Sequence, residues 1–131
     1  MSLTRTPERT GFVEFCGIEI DRTEKAYCEG HCDLAHRHLN PWGISHGGLL
    51  FTLMDTVAGT AARFAFDGEN PINVVTLSSN IYFMRPALPG TVNARARVIK
   101  AGGTVIVSEA EVYSGDTLLS KASFEFFVMR E

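Results

Sequence analysis

Leu49-Leu50-Phe51-Thr52-Leu53-Met54-Asp55-Thr56-Val57-Ala58-Gly59-Thr60-Ala61-Ala62-Arg63-Phe64-Ala65-Phe66 is almost wholly apolar, and a lone carboxylate, Asp55, sits inside it. A helix that is hydrophobic nearly all round is a buried helix. Burying an unpaired carboxylate costs several kcal/mol or forces its pKa upward. Asp55 is therefore either a structural residue, bonded to backbone or hydroxyl groups nearby, or a residue in use. His46, Gly47 and Gly48 stand at the start of the same helix. Exposed backbone N–H groups there, aided by the helix dipole, can hold a negatively charged oxygen. An oxyanion site and an acid/base or nucleophile on one helix is the chemistry of acyl transfer.

Spacing adds a constraint. Gly47 and Asp55 are eight residues apart, which is about 12 Å along a helix axis at roughly 1.5 Å per residue. A reacting carbonyl needs its oxyanion donor and its attacking group each within about 3 Å. One chain cannot bring both to the same carbon. Two chains can, if the central helices of a symmetric dimer run antiparallel. The spacing predicts a homodimer with two identical sites, each built from both subunits.

At 131 residues the chain suits one domain, spanning 1–131, with one core. A net charge of −3, with Lys and Arg dispersed, gives no electrostatic footprint for nucleic acid. The first dozen residues are polar and charged, unlike a signal peptide, and no uninterrupted apolar run approaches the ~20 residues that span a membrane. Three cysteines, Cys16, Cys28 and Cys32, lack a disulfide-scaffold spacing. The expectation is a soluble, reduced, cytoplasmic protein without a membrane or nucleic-acid partner.

Outside the central segment, Thr6-Pro7-Glu8-Arg9 reads as a short helix start. Phe12 to Cys16 looks strand-like between Gly11 and Gly17. Ile18 to Asp21 and Lys25 to Leu34 read as a hairpin turning near Arg22-Thr23-Glu24. Asn40-Pro41-Trp42-Gly43 is turn chemistry. The central helix is expected to end near Phe66-Asp67-Gly68. Strands follow at Val74 to Met84, Thr91 to Ile99, Thr104 to Tyr113 and Thr117 to Val128.

In the last three strands the even positions are mainly apolar: Val92, Ala94, Ala96, Val98; Ile106, Ala110, Val112; Leu118, Ala122, Phe124, Phe126. Directly opposed residues share a face, so each hairpin needs an odd loop, and three residues with a left-handed Gly fit both turns. That register predicts an outer row of Arg97, Glu109 and Lys121. The dry face needs a cover, and the central helix is the one long apolar segment. The prediction is an α+β architecture, a curved antiparallel sheet wrapped round one long helix.

Asn40-Pro41-Trp42-Gly43-Ile44-Ser45-His46-Gly47-Gly48, with Asp55 beyond and Asn80-Ile81-Tyr82-Phe83-Met84-Arg85-Pro86 later, resembles the hotdog-fold acyl-CoA thioesterases, in particular the phenylacetyl-CoA (PaaI-like) branch. The resemblance covers nearly the whole chain. It implies that the Gly47 N–H donates to the thioester oxygen and that Asp55 of the partner subunit acts as general base or nucleophile. Asn40 and His46 match positions that shape the site, and Thr76 falls where some members carry a hydroxyl that holds the water. Gly48, Trp42 and Phe51 are candidate substrate contacts, with Phe64 a further pocket candidate. The family implies dimers, often tetramers, an acyl-CoA substrate with an aryl or medium-chain acyl group, and no metal or bound cofactor.

Other patterns compete for the same residues. Gly43-Ile44-Ser45-His46-Gly47 matches the serine-hydrolase elbow, but no histidine follows His46. Ser45 reads better as a helix cap. Cys28, His31, Cys32, His36 and His38 invite a zinc reading, yet Cys28, Cys32, His36 and His38 would spread along one strand face over roughly 30 Å. The pattern reads instead as a strand with buried thiols and rim histidines. His46 can be read as a catalytic base, although its place before two glycines favours a capping role. Arg63, Arg85, Arg95 and Arg97 are candidates for coenzyme A phosphates, with none singled out. A non-catalytic acyl-CoA or acyl-carrier binding module would keep the Gly47 site and make Asp55 dispensable. A hydratase would pair its acid with a histidine in a different motif.

Overall fold

A computed structural model describes residues 11–130; the helix start read at Thr6 to Arg9 lies outside them. A short helix α1 (Phe12–Cys16) leads into β1 (Ile18–Glu24) and β2 (Tyr27–Leu34). After a 3₁₀ turn at His36–His38 comes the long helix α2 (Gly47–Arg63), then β3 (Val74–Phe83), β4 (Gly90–Ala101), β5 (Val105–Ser114) and β6 (Thr117–Val128). The six strands form one antiparallel sheet in the order β1-β2-β4-β5-β6-β3. The fold is the expected sheet wrapped round one central helix. Among the described residues no helix is long and apolar enough to cross a membrane.

The alternating pattern fills the space beneath the helix. Val92, Ala94 and Ala96, then Ile106, Ala110 and Val112, then Ala122, Phe124 and Phe126 are buried against Leu53, Met54, Val57, Ala58, Ala61 and Ala62. Small residues on β4 let α2 approach the sheet while phenylalanines on β6 fill the gap beside it. Gly30 shows how close that approach is. A Cβ there would stand 2.7 Å from the Glu19 carbonyl oxygen and 3.0 Å from a Val57 methyl.

Several expectations are corrected. Phe12 to Cys16 is helical, not strand-like: Gly17 closes it in a left-handed conformation, with its N–H on the Glu14 carbonyl at 3.0 Å. Its apolar run fits a helical face as well as a strand, because Val13 and Cys16 are three apart. The β1–β2 turn falls at Lys25-Ala26, beyond Arg22-Thr23-Glu24. Ala26 accepts a positive φ of 60° because its N–H binds the Phe64 carbonyl and its own carbonyl binds the Val98 N–H, both at 2.9 Å. The helix stops at Arg63, short of Phe66, since Ile72 N–H and Ala26 N–H take the Arg63 and Phe64 carbonyls.

Sheet parity is kept by a different device from the one expected. The turns leave Ala101 opposite Ile106 and Ser114 opposite Thr117. Both are even loops, which alone would put the dry faces on opposite sides. One extra residue per hairpin, Ile99 in β4 and Leu119 in β6, restores the match as a bulge. Gly115 is left-handed at φ 56°, whereas Gly102 and Gly103 do not have positive φ. The bulge puts Leu119 rather than Leu118 in the core. It also changes the outer charge row: Arg97 faces Glu109 and then Ser123, while Lys121 joins Arg95 and Glu111.

Candidate active site

Two residues hold the start of α2. His38, buried beneath it, receives the Ala35 N–H on Nδ1 and places Nε2 2.8 Å from the Cys16 carbonyl. Its own carbonyl accepts the His46 N–H at 2.8 Å. Asn40 binds its own loop: the side-chain oxygen accepts from Trp42 N–H at 2.9 Å and Ile44 N–H at 3.4 Å. The Asn40 carbonyl takes the Gly43 N–H, and Gly43 makes the reversal at φ 78°. The Asn40 amide nitrogen has no acceptor among the described residues, and Asn40 lines the cavity beside Gly47.

His46, not Ser45, is the helix cap. Its Nδ1 accepts the Gly48 N–H at 2.8 Å, which puts the proton of the neutral ring on Nε2. Ser45 is buried and its hydroxyl donates to the His46 carbonyl, so it is not an exposed nucleophile. The two glycines therefore differ. Gly48 spends its N–H on the cap. Gly47, first in the helix, keeps an N–H with no acceptor among the described residues, as first-turn groups do.

They also face different spaces. A cavity of about 450 Å³ is lined by Gly47 with Asn40, Ile44, Leu50, Phe83 and Arg85. A second, apolar cavity of about 500 Å³ lies on the Gly48 side, among Phe12, Phe15, Arg37, Leu49 and Thr52. A Cβ on Gly47 would stand 3.4 Å from the Phe83 ring, so that ring flanks the free N–H.

Asp55 lies eight residues farther along α2, half-buried. Thr76 donates its hydroxyl to the Asp55 carboxylate at 2.6 Å. Burial pushes the Asp55 pKa above the ordinary carboxylate value, and the Thr76 bond partly offsets this. β3 carries a bulge at Leu77, immediately after Thr76, and bulges commonly re-aim neighbouring side chains. The pairing of Thr76 with Asp55 itself, rather than with a water, was not legible in the sequence.

The remaining candidates are placed elsewhere. Trp42 is 82% exposed and lines neither cavity. Phe51 packs on Phe124 as part of the core, with ring centroids 5.8 Å apart and planes tilted by 48°, and Phe64 lies under the Arg63 guanidinium. Cys28 and Cys32 are buried, His31 pairs with Asp21 at 2.9 Å, and no three metal-ligating side chains gather among the described residues. His38, a structural residue, was missed because a buried histidine has no local signature.

The family model described as the thioesterase superfamily matches residues 43–121, more than half of the chain and the span from Gly43 to Lys121. A candidate esterase of Halobacterium salinarum is 41% identical over 109 residues, 78% of this chain and 69% of its own. A thioesterase from Haemophilus influenzae superposes with a TM-score of 0.81 at 27% identity, covering 90% of this chain and 82% of that one. A Streptococcus mutans protein solved bound to acetyl CoA gives 0.78 at 26%, covering 87% and 90%. The phenylacetic acid degradation protein PaaI of Thermus thermophilus shares the fold, with a TM-score of 0.82 at 24% identity over 90% of this chain and 98% of that one. Matched over more than half its length by that family model, and 41% identical to a relative, this chain belongs to the thioesterase superfamily and has its hotdog fold.

Proposed function

We propose that this chain hydrolyses acyl-CoA thioesters at two sites of a homodimer formed by pairing β3 with its twofold copy. The observation that carries the reading is the placement of Asp55 and Gly47 against opposite ends of β3. Asp55 bonds Thr76 near the start of that strand, and Gly47 lies against Phe83 at its end. Antiparallel pairing about the middle of β3 sets the Thr76 end of one copy beside the Phe83 end of the other. The 12 Å separation within one chain, about eight residues of helix rise, then becomes proximity across the interface.

In that arrangement the thioester carbonyl lies at the Gly47 N–H, with the Asn40 amide nitrogen beside it. Asp55 of the other copy activates a water or attacks the carbonyl itself, and the negative oxygen that develops is held by Gly47. The coenzyme A thiolate leaves without a strong general acid. A raised Asp55 pKa suits proton abstraction near neutrality. His46, as cap, keeps the helix start rigid and orients Gly47. The acetyl CoA bound to the Streptococcus mutans neighbour supports an acyl-CoA substrate. By resemblance the acyl group is aryl or medium-chain, and two dimers join as a tetramer. The three free cysteines agree with a reducing, cytoplasmic setting.

The test is thiol release from aryl and alkyl acyl-CoAs by wild type and Asp55→Asn. Turnover that the substitution abolishes while coenzyme A ester binding persists supports the hydrolase. Binding without turnover in both proteins would instead make this a ligand-binding module.

A further inference from the structure

The Gly47 cavity does not end at Phe83. It adjoins a wider groove of about 630 Å³ at the β5–β6 turn, lined by Asp116, Thr117 and Leu118. Met84 and Arg85 line both spaces and so stand at their junction. Their backbones are pinned there, because both N–H groups donate to the Leu119 carbonyl, at 2.9 and 3.0 Å. Pro86 further confines Arg85 to extended backbone. The Arg85 side chain is exposed and has no acid partner among the described residues.

Among the described residues the other arginines are committed or remote. Arg22 pairs with Glu24, Arg95 with Glu111 and Tyr113, and Arg97 with Glu109, on the outer side of the sheet. Arg130 donates to the Gly103 carbonyl. Arg63 lies at the far end of α2 over Phe64. Arg37 faces the apolar cavity on the Gly48 side. Arg85 alone among these shares a cavity with the free Gly47 N–H.

We infer that Arg85 binds a phosphate of coenzyme A at this junction, with the pantetheine arm in the Gly47 cavity and the adenine end in the adjoining groove. This assignment rests on the thioesterase reading. A guanidinium presents a planar fork that matches phosphate oxygens. Asp116 in the outer groove disfavours a phosphate there, which keeps the anionic group at Arg85 and leaves the groove to the neutral part of the nucleoside.

The experiment compares wild type and Arg85→Ala on one uncharged acyl group carried by coenzyme A and by phosphate-free pantetheine. Arg85→Ala is expected to raise KM for the coenzyme A ester about tenfold more than for the pantetheine ester, with kcat little changed. Arg85→Lys should recover part of the loss. KM for the coenzyme A ester should rise with ionic strength in wild type and less steeply in Arg85→Ala. Equal KM changes on both esters, or none, would overturn the assignment. If wild type hydrolyses neither ester, the thioesterase reading has failed, and calorimetric titration with coenzyme A decides separately. Weaker binding by Arg85→Ala keeps the phosphate site; equal binding removes it.

Discussion

The two edges of the sheet are built in opposite ways. β1 carries Glu19, Asp21, Arg22 and Glu24 in seven residues, with a bulge at Asp21. Charges and a bulge are the devices by which an edge strand refuses another strand. β3 has no charged residue in ten and exposes Val75, Leu77, Tyr82 and Phe83. A long, uncharged, partly apolar edge is a template for pairing. The guarded edge lies away from Asp55 and the open edge carries its hydrogen-bond partner Thr76. On the function proposed above, a second copy completes the site at the open edge.

The largest expected effect is at the carboxylate. Asp55→Asn should lower kcat by about 10²–10⁴-fold, the usual range for loss of a general base. Its melting temperature should not fall. Because burial raises the folded pKa, the charged form is disfavoured in the native state, so Asp55 opposes folding as pH rises above its ordinary value. An amide still accepts the Thr76 hydroxyl. A melt by calorimetry at neutral pH checks this.

A charge on the open edge comes next. Leu77→Lys should dissociate the dimer, seen by light scattering, and remove most turnover with it. Glu24→Lys, on the guarded edge, should leave the assembly unchanged. If both substitutions or neither affect assembly, the contrast between the edges is broken.

The pH profile sharpens the same contrast. Rate should fall as Asp55 takes a proton, along an acid limb centred above the ordinary carboxylate pKa. Thr76→Val removes the bond that lowers this pKa. Its acid limb should therefore move to higher pH, read from kcat/KM profiles. An unmoved limb would separate the titrating group from Asp55.

The smallest effects lie in the core. Leu53→Ala, at a fully buried position, should cost about 2–5 kcal/mol in denaturant unfolding. Ser108 is fully buried with no partner for its hydroxyl among the described residues, so Ser108→Ala should stabilise the protein by about 1 kcal/mol.

Much of this was legible in the chain. The near-continuous apolar run of α2 and the period-two alternation in β4 to β6 are direct consequences of burial, and both stand in the structure. The bulges at Ile99 and Leu119 were not legible, since an extra residue in a regular alternation leaves no local mark. With them went the pairing of Lys121 with Glu111 and the choice of Leu119 for the core. The helix end at Arg63 and the positive φ at Ala26 depend on contacts between segments far apart in sequence. The same holds within the site. Gly47 and Asp55 were read from one helix, whereas the Thr76 bond, the His38 support and the Arg85 junction depend on where strands and loops return to it.

The central claim, a site shared between two copies, is tested most directly by mixing two inactive chains. Gly47→Pro removes the N–H at a first-turn position that tolerates proline, after a His46 already in extended backbone (ψ 136°). Asp55→Asn removes the acid. In an equal mixture assembled at random, half of the dimers are mixed, and each holds one site with both groups intact. The account predicts recovery of about a quarter of wild-type activity on mixing. No recovery, with mixed dimers shown to form, would contradict it.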